Sequence, residues 1–163
     1  MITEAKGLIF IWNGPRAEPQ FLDGQDRALW SLRRGGKGLA LATTATRTSL
    51  MGFLGHAGVQ PTRFDNIFTR KEIGPDIAAG QPMLTKTVDA FLDLGLLRNQ
   101  IVLVGDTAAN MHEATTAKIG FIAAADGEQR DILLRAGAAP GQIIPNLKAL
   151  PDFLGIIRYN ASL

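Results

Sequence analysis

The side chains able to do chemistry are few and mostly neutral. Asn13-Gly14-Pro15 ends the apolar run Gly7–Trp12, and Thr43-Thr44 follows Gly38–Ala42. Gln81 precedes Pro82, and Asp106 and Asn110 close the run Ile101-Val-Leu-Val-Gly-Asp-Thr-Ala-Ala-Asn110. One carboxylate with carboxamides and hydroxyls can bind a neutral or weakly charged ligand. Asp106 with the Asn13 carbonyl could at most form a poor remnant of a divalent-cation site. The set holds no nucleophile paired with a base, because a carboxamide neither gives nor takes a proton at useful pH. The chain has no cysteine, which excludes a thiolate zinc site, an iron–sulfur cluster and a cysteine nucleophile. Neither His56 nor His112 has a partner at metal-ligand spacing. Gly35-Gly36-Lys37-Gly38 looks like a phosphate cradle, but it lies between a helix and the next strand, the reverse of P-loop order, and reads as a helix stop.

These residues form a site only if the elements gather them. Strand-like apolar runs occur at Gly7–Trp12, Gly38–Ala42, Phe64–Phe68, Ile101–Val104, Phe121–Ala125 and Gln142–Ile144. Helical patterns fall over Phe21–Arg34, Ser49–His56, Pro82–Leu94, Ala108–Lys118, Gln129–Arg135 and Leu147–Gly155. Gly74 to Gln81 reads as a loop, and Gly120 as the residue that closes the Ala108 helix. Trp12, Trp30 and Met51 read as core. Continuous apolar strands alternating with amphipathic helices predict an α/β class, a doubly wound parallel sheet, with residues 1–163 as a single domain. In such a sheet the ligand site lies beyond the C-terminal ends of the strands. That rule selects Asn13, Gly14, Thr43, Thr44, Gln81, Asp106 and Asn110 as the candidate pocket.

The second half resembles a known family. Ile101–Asn110, then Ala114, Ala117 and Gly120, then Phe121–Ala125 and Gly127, is similar to the last motif of haloacid-dehalogenase-superfamily phosphatases. Leu134-Arg-Ala-Gly-Ala-Ala-Pro-Gly-Gln-Ile-Ile144 resembles that family's closing stretch. Phe64–Gly80 with Gln81-Pro82, Thr43 after Leu39–Ala42, and Gly7–Gly14 resemble the remaining motifs, in the family's order. The phosphoglycolate-phosphatase-like branch is the nearest. The resemblance implies a Rossmann-like core. It also implies that the family's nucleophilic Asp, its acid/base Asp and its phosphate-neutralising Lys fall at Ile11, Asn13 and Gln81. Asp106 matches one acid of the last motif, and Asn110 stands at the other. No Asp occurs between Met1 and Phe21, so no shift of register restores the nucleophile. Family caps are inserted after the first or second motif. Here the gaps Pro15–Gly38 and Ala45–Gly80 are largely used by core elements, so the cap is expected to be absent or minimal.

The balance of the chain bounds its partners. With 46% hydrophobic and 20% charged residues it can bury a substantial core. Its 17 basic and 15 acidic residues give a net charge of +2, and no basic stripe interleaves with aromatics, so no nucleic-acid partner is expected. Met1–Lys6 is polar, and the nearby run Leu8–Trp12 is far too short for a membrane span, so a cytoplasmic protein is expected. Asn160-Ala161-Ser162 matches a glycosylation sequon that is idle without secretion. The apolar tail Leu154, Ile156, Ile157 and Tyr159 either packs on the sheet or seeds a homo-oligomer or partner contact. The expected function is a catalytically degenerate binding or scaffold component, with a protein partner and no cofactor. The alternatives are a magnesium-dependent phosphohydrolase built on Asp106, and a sensor of a small ligand held in the neutral pocket.

Overall fold

The computed structural model describes residues 4–15 and 20–156. Six strands form one sheet: β1 (Gly7–Ile11), β2 (Gly38–Ala42), β3 (Asn66–Phe68), β4 (Ile101–Gly105), β5 (Gly120–Ala124) and β6 (Ile143–Ile144). Their order is β3-β2-β1-β4-β5-β6, with every pairing parallel. The helices are α1 (Asp26–Arg34), α2 (Arg47–Ala57), α3 (Arg70–Ala78), α4 (Thr85–Asp93), α5 (Ala108–Ala117), α6 (Gly127–Arg135) and α7 (Leu150–Phe153). No helix among the described residues is long and apolar enough to cross a membrane.

The period-two alternation of each strand divides the core into two layers. Leu8, Phe10, Trp12, Leu39, Leu41, Val102 and Val104 face α1, α2 and α7, where Leu29, Leu32, Leu50, Leu54 and Leu150 meet them. Ile9, Ile11, Ala40, Ala42, Leu103 and Ala123 face the other helices and meet Ile73, Val88, Phe91, Ala114 and Leu133. Both faces of β1 are wholly buried, which is why it reads as one continuous apolar run. After β1 the chain turns toward β2; after β4 it turns the other way, toward β5. Their shared border is the topological switch point.

Several boundaries differ from the sequence pattern, each for a local reason. The first helix starts at Asp26, not Phe21, because Gly24 adopts a left-handed φ of 71° that ends the preceding turn. Leu22 still buries fully. The expected loop at Gly74–Gln81 is mostly the helix α3. Glu72 caps its start by accepting from the Thr69 amide at 3.1 Å, and Ile73 anchors it in the core. Pro75 therefore sits inside a helix rather than breaking one. Pro82 instead precedes α4, its carbonyl accepting from the Thr85 amide at 3.2 Å. Lys118, not Gly120, takes the left-handed cap of α5, with φ 59°, and Gly120 opens β5. Trp30 lies off the buried stripe of α1 and is 41% exposed, with the Arg34 guanidinium 4.8 Å from its ring centre, so it is not core. The tail packs on its own domain as far as Ile156: Leu154 is buried, and Ile156 lies against Gly35. Ile157, Tyr159 and the sequon at Asn160 lie outside the described residues.

Candidate functional site

Asn13, Asp106 and Asn110 meet at the switch point. β1 ends at Ile11, and a bond from the Trp12 amide to the Ala42 carbonyl (3.1 Å) carries the chain forward to Asn13. Trp12 points to the opposite layer and stacks on Phe53, with ring centres 4.8 Å apart. Asp106 follows the last residue of β4. Thr107 then caps α5, its hydroxyl accepting from the Asn110 amide at 3.1 Å. The cap sets the first turn of α5 so that Asn110 returns over the strand end, fully buried.

The three polar side chains satisfy one another. Asn110 Nδ2 donates to Asn13 Oδ1 at 3.0 Å, and Asn13 Nδ2 donates to Asn110 Oδ1 at 3.2 Å. Asn13 Nδ2 also approaches Asp106 Oδ1 at 3.4 Å. Asn110 Oδ1 accepts a further bond from the Asp106 amide at 3.3 Å. Two carboxamides therefore form a reciprocal pair across the border of β1 and β4, with the 94%-buried Asp106 carboxylate beside it. Gly105 makes this possible. A Cβ there would lie 2.6 Å from Asn110 Oδ1 and 2.8 Å from Asn110 Cβ, closer than real contacts allow.

The other expected pocket residues are placed differently. Thr43 is fully buried and works as a turn: its amide donates to the Phe68 carbonyl at 2.9 Å, and its hydroxyl accepts from the Ala45 amide at 3.1 Å. Thr44 is exposed, and its carbonyl accepts from Arg70 Nε at 3.0 Å. Gly14 takes a left-handed turn, and its carbonyl accepts from Gln20 Nε2 at 3.2 Å. Gln81 is exposed at the end of α3, where its amide donates to the Asp76 carbonyl; among the described residues no hydrogen bond joins its side chain to the cluster. His56 and His112 are exposed.

One participant was not legible in the sequence. Gln129 Nε2 donates to the Asp106 carbonyl at 2.6 Å and so ties the first turn of α6 to the site loop. No local motif marks it. Only the strand order, which sets the start of α6 beside the end of β4, brings the two together.

No family model and no curated protein sequence matches the chain. Solved structures do. A candidate phosphoglycolate phosphatase from Lactobacillus delbrueckii subsp. bulgaricus superposes with a TM-score of 0.62 at 22% identity, over 81% of this chain and 53% of that one. L-2-haloacid dehalogenase from Xanthobacter autotrophicus gives 0.56 at 15% identity, over 83% and 63%. D,D-heptose 1,7-bisphosphate phosphatase from B. bronchiseptica, complexed with magnesium and phosphate, gives 0.63 at 19% identity, over 91% and 97%. This chain thus spans about half to two-thirds of the first two and nearly all of the third. The likeness establishes the fold: the chain has the α/β core shared by haloacid dehalogenases and these phosphatases.

Proposed function

We propose that the chain is a catalytically degenerate protein of the haloacid dehalogenase type, serving as a binding or scaffold component of a protein assembly. The observation that carries this reading is Ile11. By the sequence resemblance it stands at the nucleophile position, and it is an alkyl side chain, wholly buried at the C-terminal end of β1. It can neither attack phosphorus nor ligate a metal.

The donor set around it argues in the same direction. Magnesium takes near-octahedral oxygen ligation, usually one or two carboxylates with phosphate and water oxygens. Here one carboxylate, Asp106, remains. The Asn13 carbonyl is already bonded to Asn110, and the Asn13 amide nitrogen, a donor, faces the two oxygens a cation would need. Among the described residues no group of three or more His, Cys, Asp or Glu side chains could hold a metal. The residues present do not fit the ion. A neutral carboxamide pair beside one carboxylate also removes the need for a balancing cation at Gln81. Leu94 and Leu97 flank one turn, are 71% and 60% exposed, and offer a protein partner an apolar contact.

Turnover of a generic phosphomonoester at high protein concentration, with and without magnesium, beside Asp106→Asn, tests the reading. The expected result is no turnover above buffer in either protein under either condition. Magnesium-dependent turnover lost in Asp106→Asn would overturn it and establish the phosphohydrolase alternative.

A further inference from the structure

Asn13-Gly14 is the one Asn-Gly pair in the chain, and its asparagine is half of the reciprocal carboxamide pair at the end of β1. We infer that Asn13 is a site of spontaneous covalent modification. Its side-chain amide is lost to attack by the Gly14 main-chain nitrogen, which leaves aspartate or isoaspartate at position 13, and Asn110 holds the rate down.

The step needs only the chain and water. The Gly14 nitrogen gives its proton to solvent and attacks Asn13 Cγ. A Cγ–N bond forms, the Cγ–Nδ2 bond breaks, and Nδ2 takes a proton from solvent and leaves as ammonia. Water then opens the cyclic imide, at Cγ to give aspartate or at the main-chain carbonyl carbon to give isoaspartate. The balance is asparagine and water in, aspartate or isoaspartate and ammonia out, with nothing oxidised or reduced.

Residue 14 leaves its nitrogen open to the reaction. Glycine carries no Cβ to shield it, and even a Cβ added there would meet nothing within 4 Å. Among the described residues the Gly14 amide donates no hydrogen bond, so none has to break before the attack. Asn13 is exposed as a whole residue, which admits the water. Asn110 opposes these features. Closing the ring draws Cγ onto the main chain and makes it tetrahedral. The carboxamide must then leave the plane in which Oδ1 accepts from Asn110 Nδ2 at 3.0 Å and Nδ2 donates to Asn110 Oδ1 at 3.2 Å. Two such bonds are worth roughly a tenfold change in rate.

The product undoes the pair. A carboxylate oxygen replaces Asn13 Nδ2, so oxygen faces oxygen at both Asn110 Oδ1 and Asp106 Oδ1. Turning the Asn110 carboxamide over does not repair this. Asn110 Oδ1 also accepts from the Asp106 amide at 3.3 Å, and Nδ2 in its place would set donor against donor. The modification therefore loosens the border of β1 and β4, and isoaspartate further adds a carbon to the main chain there.

The test incubates the folded chain at mildly alkaline pH and follows residue 13 by peptide mass spectrometry, with fragmentation to distinguish isoaspartate. Asn13 is expected to convert ahead of Asn66, Asn99, Asn110 and Asn146, none of which precedes a glycine. Asn110→Ala should speed the conversion roughly tenfold. Asn110→Asp keeps the accepting oxygen and removes only the Nδ2 donor, so its rate should lie between the two. Leu133→Ala weakens the core without touching the pair and should keep the parent's rate, which separates release of the pair from loss of the fold. Asn13→Asp, which reproduces one product, should lower Tm by about 2–4 °C. The inference is overturned if Asn13 persists in both the parent and the Asn110 variants, if these convert at equal rates, if Leu133→Ala converts as fast as Asn110→Ala, or if Asn13→Asp melts with the parent. Ile11 is untouched by the modification, so this result is independent of the turnover assay.

Discussion

Gly105 and Asn110 show how one missing methyl group shapes the site. The Asn110 carboxamide occupies the space that any side chain at 105 would fill. An alanine there must push Asn110 aside and break its bonds to Asn13 and to the Asp106 amide. Gly105→Ala is accordingly expected to lower stability by roughly 1–3 kcal/mol. Urea denaturation checks this: the midpoint should fall while the slope stays constant. A midpoint equal to the parent's would mean that the amide pair shifts without cost. At this scale the sequence was informative where the rule of strand ends applies. Asn13, Asp106 and Asn110 could be placed together because each follows a strand or opens the helix after one. Gln81 could not be placed this way. Its position depends on where α3 stops, and α3 is started by a capping contact between Thr69 and Glu72 that competes with the breaking tendency of Gly74-Pro75.

Among the elements, the five-residue strands were plain because burial on both faces removes every polar interruption. The helix limits were harder, since they rest on caps and on single left-handed residues such as Gly24 and Lys118. The link between α1 and the turn Pro61–Arg63 was not legible at all. Asp26, the first residue of α1, accepts from Arg63 Nε at 3.0 Å and Nη2 at 2.8 Å, and from the Gln60 amide at 2.9 Å. The Arg63 hydrogen bonds outweigh desolvation and hold the Asp26 carboxyl below its ordinary 3.8, while Arg63 is correspondingly raised. A carboxyl depressed by folding stabilises the fold fully above its unfolded value and loses that contribution as pH falls through the folded one. Asp26→Asn should therefore cost about 1 kcal/mol at neutral pH, the two side chains being partly solvated. The gap between parent and variant should close below about pH 3.8 in melts across pH. A gap that persists into acid would assign the effect to packing instead.

For the molecule as a whole, the alternation of strand and helix implied the parallel sheet, and the order of motifs implied the fold that the solved structures share. One consequence of the strand order concerns how the chain comes into being. β1 is central, yet its second neighbour is β4, with Gly7 opposite Ile101. As the chain leaves the ribosome, β1, β2 and β3 can assemble with α1 and α2 while one whole flank of β1 still offers unpaired amides and carbonyls. A fragment of residues 1–84 should therefore bind a hydrophobic dye and sediment as aggregates, whereas the full chain stays in the supernatant. A monomeric, dye-silent fragment would contradict this. The border that gathers Asn13 and Asp106 thus stays open until β4 emerges, and until then the nascent protein carries its own template for misassembly.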